Sequence, residues 1–146
     1  MNELLFAIIP STPQAQGSKR SLGPGRPFIE TNKHLAPWRA DAIASLRAEW
    51  GSEGPYLDAV KVSAVFVYQR PKSHYRTGRN AHLLRDDAPI FKTSAPDLDK
   101  LQRALGDALT KAGVLRDDAL IVQWGRVSKI WGLTPETRLS VRTPTI

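Results

Sequence analysis

The sequence predicts an α/β fold, a mixed β-sheet with two main helices in the order β–α–β–α–β–β, within one domain over residues 1–146. Three observations point there. Two segments carry apolar residues at the three- and four-residue spacing of a helix face. Around them lie apolar runs of strand length, the clearest of which alternates. Helical and strand segments then interleave along the chain, and a sheet packed against helices buries both kinds of apolar surface. A length of 146 residues suffices for one core and is short for two.

Residues 4–9 (LLFAII) read as a first strand, at an edge of the sheet, closed by Pro10. A long loop over 11–35 follows, rich in Gly, Pro, Ser and Thr, with Lys19, Arg20, Arg26 and Lys33 against one acid, Glu30. The first helix starts at Pro37, a residue suited to a first helical position. Trp38, Ala42 and Leu46, with Ile43 and Trp50 beside them, give it an apolar face, and the breakers GSEGP at 51–55 end it. Residues 59–68 make the best central strand, with Val60, Val62, Ala64, Phe66 and Tyr68 alternating against Lys61, Ser63, Val65 and Val67. A second long loop, 69–96, holds Arg70, Lys72, Arg76, Arg79, Arg85 and Lys92 against Asp86 and Asp87. The second helix, 97–112, follows Pro96; Leu101, Ala104, Leu105, Ala108, Leu109 and Ala112 form one stripe and Gly113 caps its end. The turn VLRDD leads into a strand over 119–131, in which Leu120, Val122 and Trp124 alternate, and a strand over 138–142 completes the sheet.

Lys and Arg number 21 against 14 acids, a net charge of +7 that attracts polyanions, since each phosphate neutralised releases counterions. A solvated basic surface has the same total charge, so distribution matters, and the charge gathers in the two long loops. Those loops read equally as flexible insertions or as a binding surface. As DNA contacts the candidates are Lys19, Arg20, Arg70, Lys72, Arg76 and Arg79, with Tyr75 and His82 placed to stack on bases. No apolar run reaches membrane-spanning length, and MNELLFAIIP lacks the basic start and small-residue cleavage site of a leader, so a cytoplasmic protein is expected. The absence of cysteine excludes disulfides, thiolate zinc sites and cysteine nucleophiles.

Chemistry is concentrated in the acids. Pro96-Asp97-Leu98-Asp99-Lys100 puts two carboxylates at a helix start, and Asp117-Asp118 lies just after that helix. Helix capping explains the first pair and turn propensity the second. Two acids are more than one cap needs, however. The alternative is a nuclease site, in which a hard cation such as Mg²⁺ takes carboxylate oxygens, activates water and stabilises charge on the scissile phosphate. Nothing else offers a comparable set: His34, His74 and His82 lack ligand spacing, and there is neither a phosphate-binding P-loop nor a GxSxG elbow.

The stretch PDLDKLQRALGDALTKAGVLRDDALI resembles the signature of the RusA family of Holliday-junction resolvases, which runs PDLDN, a helix with DAL, then G-V and a DD pair. PQAQGSKR and KHLAPWR resemble phage-type members of that family more weakly. The resemblance implies catalytic, metal-binding aspartates at Asp97, Asp99 and Asp118, with Mg²⁺ or Mn²⁺ as cofactor and no organic one. It also implies a homodimer that nicks branched, four-way DNA in pairs. Two positions depart from the pattern: Lys100 stands where the family has Asn, and Arg103 where it has a catalytic Lys. Arg103 is therefore counted with the catalytic residues and Lys100 with the DNA-binding ones.

Geometry leaves one question open. A helix from Asp99 to Ala112 is about 20 Å long, and Asp118 must come back along it to join Asp97. Residues 113–118, extended at about 3.3 Å each, can just do so. Either one subunit holds the whole site or Asp118 serves the partner's. Two other functions compete with the nuclease. A non-catalytic DNA-binding protein on the same scaffold would carry three negative charges beside a phosphate with nothing to offset them. A basic RNA-binding domain lacks any RNP-like aromatic motif.

Overall fold

Strand β4 (Val60–Gln69) runs through the middle of the main sheet, because its alternate residues Val60, Val62, Ala64 and Phe66 are buried to 2% exposure or less and need cover on one face. The structure is a computed structural model that describes residues 2–17, 19–26, 28–30 and 32–146, without the side chains of 19, 20 and 28–30. Four strands form the sheet in the order β1-β6-β4-β5, where β1 is Glu3–Ile9, β5 is Ile121–Gly132 and β6 is Glu136–Arg142. β6 pairs antiparallel with both β1 and β4, whereas β5 lies parallel to β4. A parallel pair needs a crossover, and helix α2 (Leu98–Lys111) supplies it. The mixed sheet with two helices and the predicted order of its elements are as expected, with β1 at an edge and β4 internal.

Both helices cover the same core. Helix α1 (Leu35–Trp50) buries Leu35, Trp38, Ala42 and Leu46; α2 buries Leu101, Ala104, Leu105, Ala108 and Leu109, and Ala112 follows them inside. Those six α2 residues are the predicted stripe. Gly113 ends the helix at φ 77°, the left-handed conformation a glycine supplies without a Cβ penalty. No helix among the described residues is long and apolar enough to cross a membrane.

Four expectations need correction. α1 begins at Leu35, two residues before Pro37, because Asn32 accepts hydrogen bonds from the amides of His34 (3.0 Å, on Oδ1) and Leu35 (3.1 Å, on its carbonyl) and starts the turn early. The first loop contains a hairpin, β2 (Lys19–Ser21) with β3 (Phe28–Glu30). The second loop is built, not structureless: short 3₁₀ turns at Lys72–His74 and Gly78–Asn80 and a Tyr75–Leu84 bridge make it an arm. Finally, 118–120 is a 3₁₀ turn, and the register of β5 shifts between its pairings Val60–Ile121 and Lys61–Gln123 and again between Val62–Trp124 and Ala64–Val127. Strict alternation therefore fails there. Ile121 and Trp124 pack against the core, and Val122 is 57% exposed.

The arm returns to the free edge of β5. Phe91 bridges Ile130, Lys92 N–H donates to the Lys129 carbonyl (3.1 Å) and Trp131 N–H to that of Ile90 (2.9 Å). That pairing covers an edge which would otherwise present unpaired amides and carbonyls.

Candidate active site

Helix α2 has a second stripe. Asp99, Gln102, Arg103 and Gly106 fall at i, i+3, i+4 and i+7, so they share the face next to the buried one. They line one wall of a cavity of about 520 Å³ whose other wall is Asp118, Ile121 and Trp124, from the 3₁₀ turn and the start of β5. That volume lies in the range of ligand sites. Asp118 faces the helix at Gly106: a Cβ there would stand 3.5 Å from Asp118 Cβ and 3.9 Å from its Oδ2, ordinary contact distances. The register shift between Ile121 and Gln123 in β5 comes just before Trp124, which lines the same cavity; bulges are common beside active sites.

Asp99, Arg103 and Asp118 thus line one cavity of a single chain, and the short segment between α2 and β5 brings Asp118 back as far as Gly106, midway along the helix. Asp97 is not among the residues lining the cavity. It is the N-cap of α2, with its carbonyl accepting from Leu101 N–H (3.2 Å), but its side chain makes no capping bond. The carboxylate lies 3.8 Å from Lys100 Nζ and is largely exposed. Capping therefore does not account for the Asp97 carboxylate. Asp99 and Arg103 form no ion pair among the described residues, so the guanidinium is not consumed by the neighbouring acid.

Electrostatics single out Asp118. Partial desolvation first, then a hydrogen bond with Asp117 and the charges of Asp117 and Asp107, push its carboxyl above the usual carboxylate range. Asp107 is itself held by Arg39 of α1 at 3.1 Å. The carboxylates of Asp99 and Asp118 offer hard oxygens, the donors a divalent cation such as Mg²⁺ takes. In their present rotamers no three acidic or histidine side chains among the described residues converge on one point. Two carboxylates in the cavity fit such an ion, and Asp97 stands two residues before Asp99.

The DNA-binding candidates separate into groups. Lys19 and Arg20 lie on β2, and their side chains are outside the described residues. Gln16 N–H donates to the Lys100 carbonyl (3.4 Å), which brings the segment before that hairpin to the start of α2. Lys72 and Arg79 are exposed and make no ion pair among the described residues. Arg70 donates to the Pro89 carbonyl (2.8 Å), and Arg76 pairs with Asp86 (3.0 Å), so both serve the arm itself. Tyr75 bridges Leu84 in the arm, and His82 is exposed near its tip.

Sequence reasoning passed over Gly106, treated Trp124 only as a strand residue, and did not single out Lys129. A glycine inside a confident helix was the readable signal, since it costs about 1 kcal/mol against Ala and usually marks a close approach. Trp124 and Lys129 gave none, because the bulge that sets their direction has no sequence mark.

A carboxylate-lined cavity beside basic loops, at the edge of a mixed sheet, suits hydrolysis of a nucleic-acid backbone. A family model described as Endodeoxyribonuclease RusA matches residues 9–142, and the chain belongs to that family. Membership makes it an endodeoxyribonuclease, a hydrolase, and points to resolvase activity on Holliday-junction DNA. No curated protein matches the chain.

Proposed function

We propose that the chain resolves four-way DNA junctions as a homodimer, by paired phosphodiester hydrolysis that depends on Mg²⁺ or Mn²⁺. The observation that carries this reading is the meeting of Asp99, Arg103 and Asp118 around one cavity of one subunit. Each subunit then needs no residue from its partner to cut, and a two-fold dimer presents two such sites to a two-fold junction.

Asp99 and Asp118 would hold the ion, and Asp97, two residues before Asp99, would be the third carboxylate of the set. Such an ion would supply activation of water and neutralisation of charge on the scissile phosphate. Arg103, one turn beyond Asp99 and without an ion pair among the described residues, presents a guanidinium fork to the phosphate oxygens. It cannot also donate a proton to the leaving oxygen, because its pKa lies above about 12. Lys100, Lys72, Arg79 and the β2 residues Lys19 and Arg20 hold the DNA backbone around the cavity.

The test is incubation of purified protein with labelled four-way junction and with linear duplex, in Mg²⁺ and in EDTA. Paired symmetric nicks in the junction alone, and only with Mg²⁺, are expected. Binding without cleavage in any divalent metal would leave a non-catalytic DNA-binding protein instead.

A further inference from the structure

Immediately before Asp97, three consecutive residues have their carbonyls taken by two ammonium groups. Lys129 Nζ, from β5, donates to the carbonyls of Ser94 (2.8 Å) and Pro96 (2.7 Å). Lys92 Nζ donates to the Ala95 carbonyl (2.7 Å) and to Ser94 Oγ (2.6 Å). Lys92 also sits 5.1 Å from the Tyr68 ring centre and 5.0 Å from that of Trp131. Neither lysine has a carboxylate partner among the described residues. Two like charges side by side are unfavourable, and burial together with Lys129 pushes the Lys92 ammonium below its usual range. The carbonyl dipoles of the turn and the two aromatic faces offset that cost.

The turn they clamp continues directly into Asp97 and Asp99. The strand they clamp it to begins just after Asp118. Strand β5 is therefore the common reference for the carboxylates on both sides: its start packs against Gly106 of α2, and Lys129 near its end grips the segment that opens the same helix. We propose that Lys129, supported by Lys92, is a positioning residue that fixes the carboxylates at the start of α2 relative to Asp118. The inference rests on the metal-dependent reading above. It adds a role for two residues that lie outside the cavity.

Substituting Lys129→Met keeps an unbranched side chain one atom shorter and removes both bonds to the turn; Lys129→Arg keeps donors there. The measurements are single-turnover junction cleavage over a Mg²⁺ titration, the rise in melting temperature that Mg²⁺ causes, and junction affinity in EDTA. For Lys129→Met the half-saturating Mg²⁺ concentration should rise by about 10–100-fold, the range for losing a group that orients a metal ligand. Its Mg²⁺-induced rise in melting temperature should shrink, and its affinity in EDTA should stay within about twofold of wild type, since the clamp faces the turn and not the DNA. Lys129→Arg should recover most of the metal response. If Lys129→Met does not fold, Lys92→Met tests the same clamp and should shift the Mg²⁺ dependence in the same direction by less. An unchanged Mg²⁺ dependence in folded variants would overturn the inference while wild-type cleavage kept the nuclease reading intact. So would a large loss of affinity in EDTA with normal metal dependence, which would make the lysines phosphate contacts. A wild-type protein indifferent to Mg²⁺ would remove the metal reading and this inference with it.

Discussion

Asp118 faces Gly106 of α2 across a gap the width of a methyl group: a Cβ on the glycine would lie 3.5 Å from that of the aspartate and 3.4 Å from Ile121 Cδ1. An alanine fits at ordinary van der Waals distance, and a larger side chain occupies the place of the carboxylate. Gly106→Ala should therefore cleave junctions and melt up to about 2–4 °C higher, the effect of roughly 1 kcal/mol of helix propensity in a chain of this size. Gly106→Leu should displace Asp118 and abolish cleavage. Melting curves with single-turnover rates check both; a fully active Gly106→Leu would detach Asp118 from the site.

Arg103 separates catalysis from helix stability. Since it makes no ion pair with Asp99, Arg103→Ala should melt with the wild type yet cleave about a hundredfold more slowly, the scale of removing one charge-stabilising donor. Arg103→Lys should retain activity. Removing Lys100 as well should cost more than the sum of the single changes, because both cations stand beside the same helix start. An Arg103→Ala protein that melts early and cuts normally would reduce the residue to a structural one.

The arm sorts its own cations. Lys72→Ala and Arg79→Ala should each lower the slope of log affinity against log salt, by about 0.9 for each phosphate left without its cation. Arg76→Ala should act chiefly by releasing Asp86, and Arg70→Ala by loosening the arm at Pro89. Junction binding over a salt series distinguishes them: equal slope changes for all four would mean that the arm's internal bonds do not hold in the complex.

Asp118 sets a pH dependence. Its carboxyl is raised above the ordinary value by desolvation, Asp117 and Asp107. In the window between the unfolded and the raised folded pKa, the folded state binds more protons than the unfolded one. Metal-free stability from this group therefore falls as pH rises through that window. Asp118→Asn should remove the loss and melt slightly higher than wild type at neutral pH without metal. Metal and proton compete for the same oxygens, so the Mg²⁺ needed for half-maximal cleavage should fall as pH rises. Melts and Mg²⁺ titrations across the acidic range test both signs.

Much of this arrangement was legible in the residues, because its determinants are local. The α2 stripe from Leu101 to Ala112, the Gly113 cap and the alternation of β4 are short-range patterns; the first two appear where the periodicity put them, and β4 alternates from Val60 to Phe66 until Val67 is buried as well. Of the acids singled out in the sequence, Asp99 and Asp118 line the cavity and Asp97 does not. What escaped depends on contacts distant in sequence. Val122 turns outward because the 3₁₀ turn at 118–120 and the register shift between Ile121 and Gln123 reset the strand's phase. Arg70 and Arg76 look like free cations until the arm folds back on them. Lys129 becomes informative only when the 94–96 turn lies beside it.

Conversion of the carboxylates to amides tests the central claim most directly. Single-turnover cleavage of a labelled four-way junction in Mg²⁺ should be compared for wild type, Asp97→Asn, Asp99→Asn and Asp118→Asn, with junction affinity measured in EDTA. Each amide keeps the shape of the side chain and removes the charge that holds the ion. Cleavage should fall by more than about 100-fold in each, beyond the range for a group that only orients a ligand, while affinity stays equal or tightens. Wild-type cleavage rates in Asp99→Asn and Asp118→Asn would contradict the assignment of this cavity as the active site.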